Sequence, residues 1–120
     1  MIIIQEEIYL HPEIKEPFLK HADFHAKGTV GLQAIHGYAI RGFVTQEINN
    51  QGTPVTNQEG WLKFLISYHV NKLEDFSTYL ATEAKNRPEK IEFFKRHGDK
   101  IKTQPIRIFN TLLINERPLK

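Results

Sequence analysis

The feature that most constrains this 120-residue chain is the order in which its local sequence patterns follow one another. Residues Ile2 to Leu10 are rich in β-branched and apolar types and end at His11-Pro12, which predicts a strand. Helical, extended, extended, helical and extended patterns follow, so the predicted order of elements is βαββαβ. One such unit covers almost the whole chain, and we predict a single domain over residues 1–120.

The first half of this unit is predicted to contain one helix and a hairpin. The helix begins near Glu16-Pro17, because proline is tolerated in the first turn of a helix, and ends at Gly28. An extended pattern from Val30 to Ile48 and a clear strand from Gly60 to Val70 form the two arms of the hairpin. The residues between them, Asn49 to Gln58, are typical of a loop.

The second half is predicted to contain a divided helix and a last strand. An apolar stripe runs from Leu73 to Leu80, and Arg87-Pro88 breaks the helix, since the residue before proline resists helical geometry. Gly98 ends the second helical segment, and the last strand spans Ile106 to Asn115. Right-handed crossovers interleave two βαβ halves into one antiparallel sheet with helices on one face, which is the ferredoxin-like plan.

The first and last strands are apolar on both of their faces. Ile2 and Ile4 alternate with Ile3, and Ile108 alternates with Phe109. A sheet face in contact with water shows polar residues at alternate positions of its strands. We therefore expect the second face of the sheet to be covered by another copy of the chain, and we predict a homodimer.

Composition excludes several classes of site. The chain has no cysteine, which excludes disulfides and thiolate zinc sites. Its start lacks a basic segment, and no run approaches the ~20 apolar residues of a membrane span, so we expect a cytoplasmic protein without a membrane partner. Lysine and arginine are concentrated between residues 85 and 102, but acids interrupt them. This pattern favours a solvated helix surface over a nucleic-acid interface.

Four segments of the C-terminal half carry a resemblance to a known family: Leu73-Glu74-Asp75-Phe76, Tyr79-Leu80, Phe94-Lys95-Arg96-His97-Gly98-Asp99-Lys100 and Arg107-Ile108-Phe109-Asn110-Thr111-Leu112-Leu113. The chain resembles a family of short bacterial proteins of unknown function. That family is similar to the dimeric α+β barrel superfamily, which includes antibiotic-biosynthesis monooxygenases, heme-degrading monooxygenases and ligand-binding relatives. The resemblance implies an α+β, ferredoxin-like domain that forms a dimeric α+β barrel, and it implies no particular reaction.

The hairpin supplies most of the candidate pocket. If it turns symmetrically about Gly52-Thr53, His36 lies opposite His69, and one face of the sheet carries a mixed aromatic and polar set: His36, Tyr38, Trp61, Lys63, Ser67 and His69. With His25 from the first helix, these residues are candidates to line a pocket for a small molecule.

Two functions are compatible with this pocket. The first is a small homodimeric protein that binds a small ligand or has a structural role, in which case the same residues pack the dimer. The alternative is a cofactor-independent monooxygenase or isomerase acting on a small organic substrate, with His69 or His36 as the base and with Tyr38 and Trp61 orienting the substrate.

The histidines also raise the question of a metal or heme site. His21 and His25 stand at helical spacing i, i+4, and a closed metal site needs further ligands, which His36 and His69 could supply. The segment ending at His97 resembles the one that presents the proximal histidine in heme-degrading relatives, although the other residues of that site are missing. Histidines that are hydrogen-bonded and inert are the favoured alternative, so we expect neither a metal nor a cofactor.

Overall fold

The computed structural model describes residues 1–86 and 88–112, and for residues 26–32, 34, 35 and 83–86 it describes the backbone alone. The elements are β1 (Ile2–Leu10), a 3-10 turn (Pro12–Ile14), α1 (Lys15–His36), β2 (Arg41–Gln46), β3 (Leu62–Val70), α2 (Leu73–Asn86), α3 (Pro88–His97), a second 3-10 turn (Gly98–Lys100), β4 (Ile101–Thr103) and β5 (Arg107–Asn110). Within the described ranges, no helix is both long and apolar enough to cross a membrane.

The strands form one open antiparallel sheet, and the fold class is α+β as predicted. Their order is β2-β3-β1-β4, and β5 also pairs with β1. β1 is central: it pairs along its whole length with β3, with Ile2 opposite Val70 and Leu10 opposite Leu62. On its other edge, β4 pairs with Ile8 to Leu10 and β5 with Ile2 to Gln5.

The final edge of the sheet is therefore two short strands, where the sequence predicts one strand from Ile106 to Asn115. β4 is an element that the sequence analysis missed. Pro105, which lies between β4 and β5, has no N–H to donate, and prolines in sheets are confined to edges and bulges. The end of the predicted strand, beyond residue 112, lies outside the described residues.

The predicted end of the first helix is wrong. α1 continues past Gly28 to His36, so the extended arm predicted from Val30 begins only at Arg41. The helix ends where Gly37 adopts the left-handed conformation (φ +69°) and its N–H donates to the Gln33 carbonyl at 2.9 Å. A short apolar run is compatible with helix and strand alike, and here the helical alternative is realised.

The hairpin register also differs from the symmetric one. Arg41, not His36, lies opposite His69. The connection from β2 to β3 contains two turns in which an asparagine side chain accepts two backbone N–H bonds: Asn49 from Gln51 and Thr53, and Asn57 from Glu59 and Trp61, all at 2.9–3.0 Å. Such side-chain bonds replace strand pairing and shift the arms relative to each other.

Alternate residues of the strands pack against the three helices. One core cluster joins Ile4 and Val70 of the sheet to Tyr38 and to Phe76 and Tyr79 of α2. A second cluster consists of Ile8, Leu10, Ile14, Phe18 and Phe64. Full burial of each such side chain contributes roughly 1.5–3 kcal/mol. The helix-facing position of β1 between the two clusters is Glu6, and this interruption of the core determines where the candidate site lies.

Candidate ligand cavity

A cavity of about 510 Å³, partly open to solvent, lies between the helices and the sheet and borders both core clusters. Protein cavities that bind small organic molecules typically have volumes of roughly 300–1,000 Å³. The walls are mainly apolar and include Phe18, Ile66 and Phe94. A few polar side chains reach the same space: Glu6, His21, Asp23, His25, Gln33, Tyr68, Tyr79 and Lys90. Apolar walls with a small number of polar groups are typical of a small-molecule site.

Glu6 is the acidic group on the sheet side of the cavity. Ile4 and Ile8, its neighbours on the same face of β1, are 1% and 2% exposed, whereas Glu6 is half-buried and borders the cavity. Burial raises the pKa of the Glu6 carboxyl group, and the positive charge of Lys90 opposes this effect. The carboxyl group therefore holds a proton more strongly than an exposed glutamate does, which suits a group that exchanges protons with a ligand.

Tyr68 borders the cavity next to Glu6. β1 and β3 pair so that Glu6 is opposite Ile66, and Tyr68 is two residues further along β3 on the same face. Such diagonal neighbours are separated by roughly 7–8 Å between Cα atoms, within reach of an aromatic side chain. Gly42 on β2 is opposite Tyr68, and a Cβ atom there would lie 3.6 Å from the Tyr68 ring. The sheet thus presents a carboxyl and a phenol as diagonal neighbours, and each of them is adjacent to Ile66.

A chain of hydrogen bonds crosses from α1 to the sheet. Nε2 of His25 lies 3.0 Å from the Tyr79 hydroxyl, and that hydroxyl donates to the Tyr68 hydroxyl at 3.3 Å. Tyr79 is 2% exposed, and its ring contacts the Tyr68 ring with 5.2 Å between centroids. The chain orients both tyrosine hydroxyls beside the cavity and links them to a group that can carry a proton.

His21 holds the adjoining part of the helix layer together. Its ring stacks on Phe93 of α3, with 4.4 Å between centroids and 10° between planes. It lies 5.9 Å from the His25 ring, one turn further along α1. His21 therefore serves in the packing of α1 against α3 at the cavity wall.

The residues predicted to form a pocket are separated by the observed register. Of that set, His25 borders the cavity. His36 is exposed at the end of α1, and Tyr38 is 5% exposed in the first core cluster, where its hydroxyl accepts a 3.5 Å hydrogen bond from Thr82.

The remaining predicted residues lie on the side of the sheet away from the helices, which we call the open face. Ser67 and His69 alternate with the core residues of β3, and His69 contacts the Phe43 ring at 5.0 Å between centroids. Trp61, just before β3, is near His11 and lies 4.8 Å from Nζ of Lys102. The predicted pairing of His36 with His69 is wrong, because α1 continues to His36 and Arg41 lies opposite His69.

The open face also carries a small charged network. Nζ of Lys63 lies 2.9 Å from Glu47 and 3.3 Å from Glu7. The hydrogen bond to Glu47 is the main reason why the pKa of Lys63 is raised. The sequence predicts that Lys63 shares a pocket with His69. In the structure, Lys63 forms ion pairs with Glu7 and Glu47 on the open face.

In the described part of the chain, no group of three or more histidine, aspartate or glutamate side chains lies where it could hold a metal ion. His36 is the last residue of α1, and His69 lies on β3 opposite Arg41. His97 packs on Phe93, with 4.9 Å between ring centroids, at the end of α3.

Basic residues of the 85–102 segment take part in local ion pairs where their partners are described. Lys100 pairs with Glu13 at 2.8 Å, and Lys102 pairs with Glu59. Lys90 borders the cavity. The expectation that nucleic acid is not a partner stays a prediction.

The sequence analysis missed Glu6, Tyr68, Tyr79 and Lys90 as site residues. For Glu6 a signal was present: positions 2, 4, 6, 8 and 10 of the first strand read Ile, Ile, Glu, Ile and Leu. A charged residue in the middle of an otherwise apolar strand face is costly unless it has a function or a partner. The other three depend on helix and strand positions that no local pattern specifies.

No protein-family model, no curated protein and no solved structure matches this chain. The cavity and its polar groups are therefore the basis for assigning a function.

Proposed function

We propose that this protein binds a small organic molecule in the cavity between its helices and its sheet. The observation that carries the proposal is a cavity of about 510 Å³ with mainly apolar walls, into which the half-buried Glu6 projects from an otherwise apolar strand face. A buried acid lowers stability, and such a cost is typical of a functional group.

The lining defines the chemistry of the ligand. Phe18, Ile66 and Phe94 favour a planar, largely apolar body. Glu6 accepts a hydrogen bond from a donor on that body, and the Tyr68 hydroxyl binds an oxygen or nitrogen atom. The ligand class is a small cyclic or aromatic molecule with a few polar substituents.

The domain plan proposed here is ferredoxin-like, and the assembly is a homodimeric α+β barrel, as the family resemblance implies. The strand order β2-β3-β1-β4, with helices on one face, supports the domain plan. The open face supports the dimer, because Phe43 and Phe109 on it are 42% and 40% exposed. A second copy packed on this face covers both rings.

A fluorescence titration tests the binding function. The probe is 1-aminoanthracene, a planar apolar dye with one amino donor that matches the lining. Ala22 borders the cavity, and Ala81 is exposed on α2, so Ala22→Phe and Ala81→Phe form a matched pair. We expect saturable binding to the wild type and to Ala81→Phe, and at least about 10-fold weaker binding to Ala22→Phe, which corresponds to about 1.4 kcal/mol. Equal binding by the two variants would contradict the proposal.

Sedimentation equilibrium tests the dimer separately. Phe109→Glu introduces a charge into the open face, and Leu73→Glu, at a position that is 45% exposed at the start of α2, is its control. We expect a dimer for the wild type and the control, and a monomer for Phe109→Glu. A wild-type monomer at all concentrations removes the dimer and leaves the binding proposal intact.

A further inference from the structure

The cavity brings together a carboxyl group and a phenol in a way that goes beyond binding. Glu6 and Tyr68 are diagonal neighbours on one face of the sheet, with Ile4 and Ile66 at the other two corners of the same patch, and Tyr79 and His25 are hydrogen-bonded in series to Tyr68. A flat molecule that lies over this patch meets an acid–base group at one corner and a hydrogen-bond donor at the opposite corner. This is the arrangement needed for proton transfer next to a carbonyl group.

We infer that the cavity catalyses the shift of a double bond in a cyclic unsaturated ketone, with Glu6 carrying the proton and Tyr68 binding the carbonyl oxygen. This inference rests on the proposed binding function. It specifies the ligand of the cavity as a cyclic ketone that can form an enolate. Both residues touch the substrate in this assignment and are catalytic residues.

The reaction is balanced without any other reactant. The Glu6 carboxylate takes a proton from the carbon between the carbonyl group and the double bond. The electron pair of that C–H bond forms a new double bond, and the carbonyl oxygen becomes an enolate oxygen, which the Tyr68 hydroxyl stabilises. The carboxylic acid then returns the proton to the far carbon of the original double bond, and the product is the conjugated isomer of the substrate.

The surroundings of Glu6 suit this role. Burial makes the carboxylate a stronger base than an exposed glutamate, and the cavity walls near it are mainly apolar. The titratable or charged groups that share the cavity are Lys90 of α3, His21, Asp23 and His25 of α1, Tyr68 of β3 and Tyr79 of α2. The charge of Lys90 favours the ionised form of Glu6, which is the form that accepts the proton.

Tyr79 is a positioning residue for this step. It donates to the Tyr68 hydroxyl at 3.3 Å, and hydrogen bonds in such a chain strengthen one another. Tyr68 is thereby oriented before the substrate arrives. Loss of the Tyr79 hydroxyl should lower kcat with little effect on KM, whereas a general loss of packing in the cavity would raise KM.

The test follows the conversion of cyclohex-3-en-1-one to its conjugated isomer by ultraviolet absorbance, on full-length protein. We expect the wild type to accelerate the conversion and Glu6→Gln to lower kcat/KM by about 100-fold, with a similar loss in Tyr68→Phe. Glu13→Gln, at an exposed acid outside the cavity, should retain wild-type activity. The wild-type rate should rise with pH as Glu6 ionises.

The outcomes separate this inference from the binding proposal. Glu6→Gln that still binds 1-aminoanthracene but has lost the reaction supports the inference. Wild-type protein that binds the dye but isomerises the ketone no faster than Ala22→Phe overturns the inference alone, and so does equal activity in Glu6→Gln and the wild type. Failure of the dye to distinguish Ala22→Phe from Ala81→Phe overturns the binding function as well.

Discussion

Replacing Glu6 by leucine should stabilise the fold while it removes the acid of the cavity. Glu6 is half-buried between Ile4 and Ile8, which are 1% and 2% exposed and belong to the two core clusters. Full burial of a leucine side chain contributes roughly 1.5–3 kcal/mol, so a half-buried leucine contributes about 1 kcal/mol. We therefore expect Glu6→Leu to raise the free energy of unfolding by about 1 kcal/mol at neutral pH, and Tm by about 3–5 °C.

The effect should depend on pH in a defined direction. Because burial raises the pKa of Glu6, the folded protein binds this proton more tightly than the unfolded chain does. The stability that protonated Glu6 contributes is complete below the pKa of the unfolded chain and is lost as pH rises through the raised pKa. The stability advantage of Glu6→Leu, and of the isosteric Glu6→Gln, should accordingly grow from acid to neutral pH.

Urea unfolding followed by circular dichroism, at one protein concentration and from about pH 4 to about pH 8, measures this dependence. Glu13→Gln is the control of opposite sign. The hydrogen bond from Lys100 lowers the pKa of Glu13, so its stabilising contribution is present at neutral pH and is lost on acidification. A Glu6→Leu protein that is less stable at neutral pH, or an advantage that does not change with pH, would refute the reasoning.

Three further substitutions examine other parts of the fold by the same unfolding assay. Tyr79→Phe removes a hydroxyl that is hydrogen-bonded to His25 and Tyr68, and it should lower the free energy of unfolding by about 1–3 kcal/mol. An unchanged stability would contradict the chain of hydrogen bonds. Gly37→Ala places a side chain at φ +69°, with nothing within 4 Å of its Cβ atom. It should lower the free energy of unfolding by about 1–2 kcal/mol through backbone strain alone. An unchanged stability would contradict the left-handed helix end at Gly37. Asn57→Ala loses two acceptor bonds in the hairpin and should cost about 1–2 kcal/mol, whereas Asn57→Asp, which keeps the acceptor oxygen, should cost less.

Local sequence patterns predicted the elements whose physics is local. The strand from Ile2 to Leu10 is confirmed to the residue by β1, since a run of β-branched and apolar residues before a proline has few alternatives. The division of the second helical region is likewise confirmed, because α2 ends at Asn86 and α3 begins at Pro88. Proline acts on its own turn, so its effect can be predicted without knowledge of the rest of the fold.

By itself, the sequence determined the α+β class, the bounds of the first strand, the division of the second helical region at Pro88, and the absence of disulfides. Tertiary structure alone decided that residues 30–36 are helical, that Arg41 rather than His36 is opposite His69, and that Glu6, Tyr68 and His25 share one cavity. The physical reason is that strand register and cavity lining depend on contacts between residues far apart in the chain. A register difference of a few residues preserves every local pattern but changes which side chains meet.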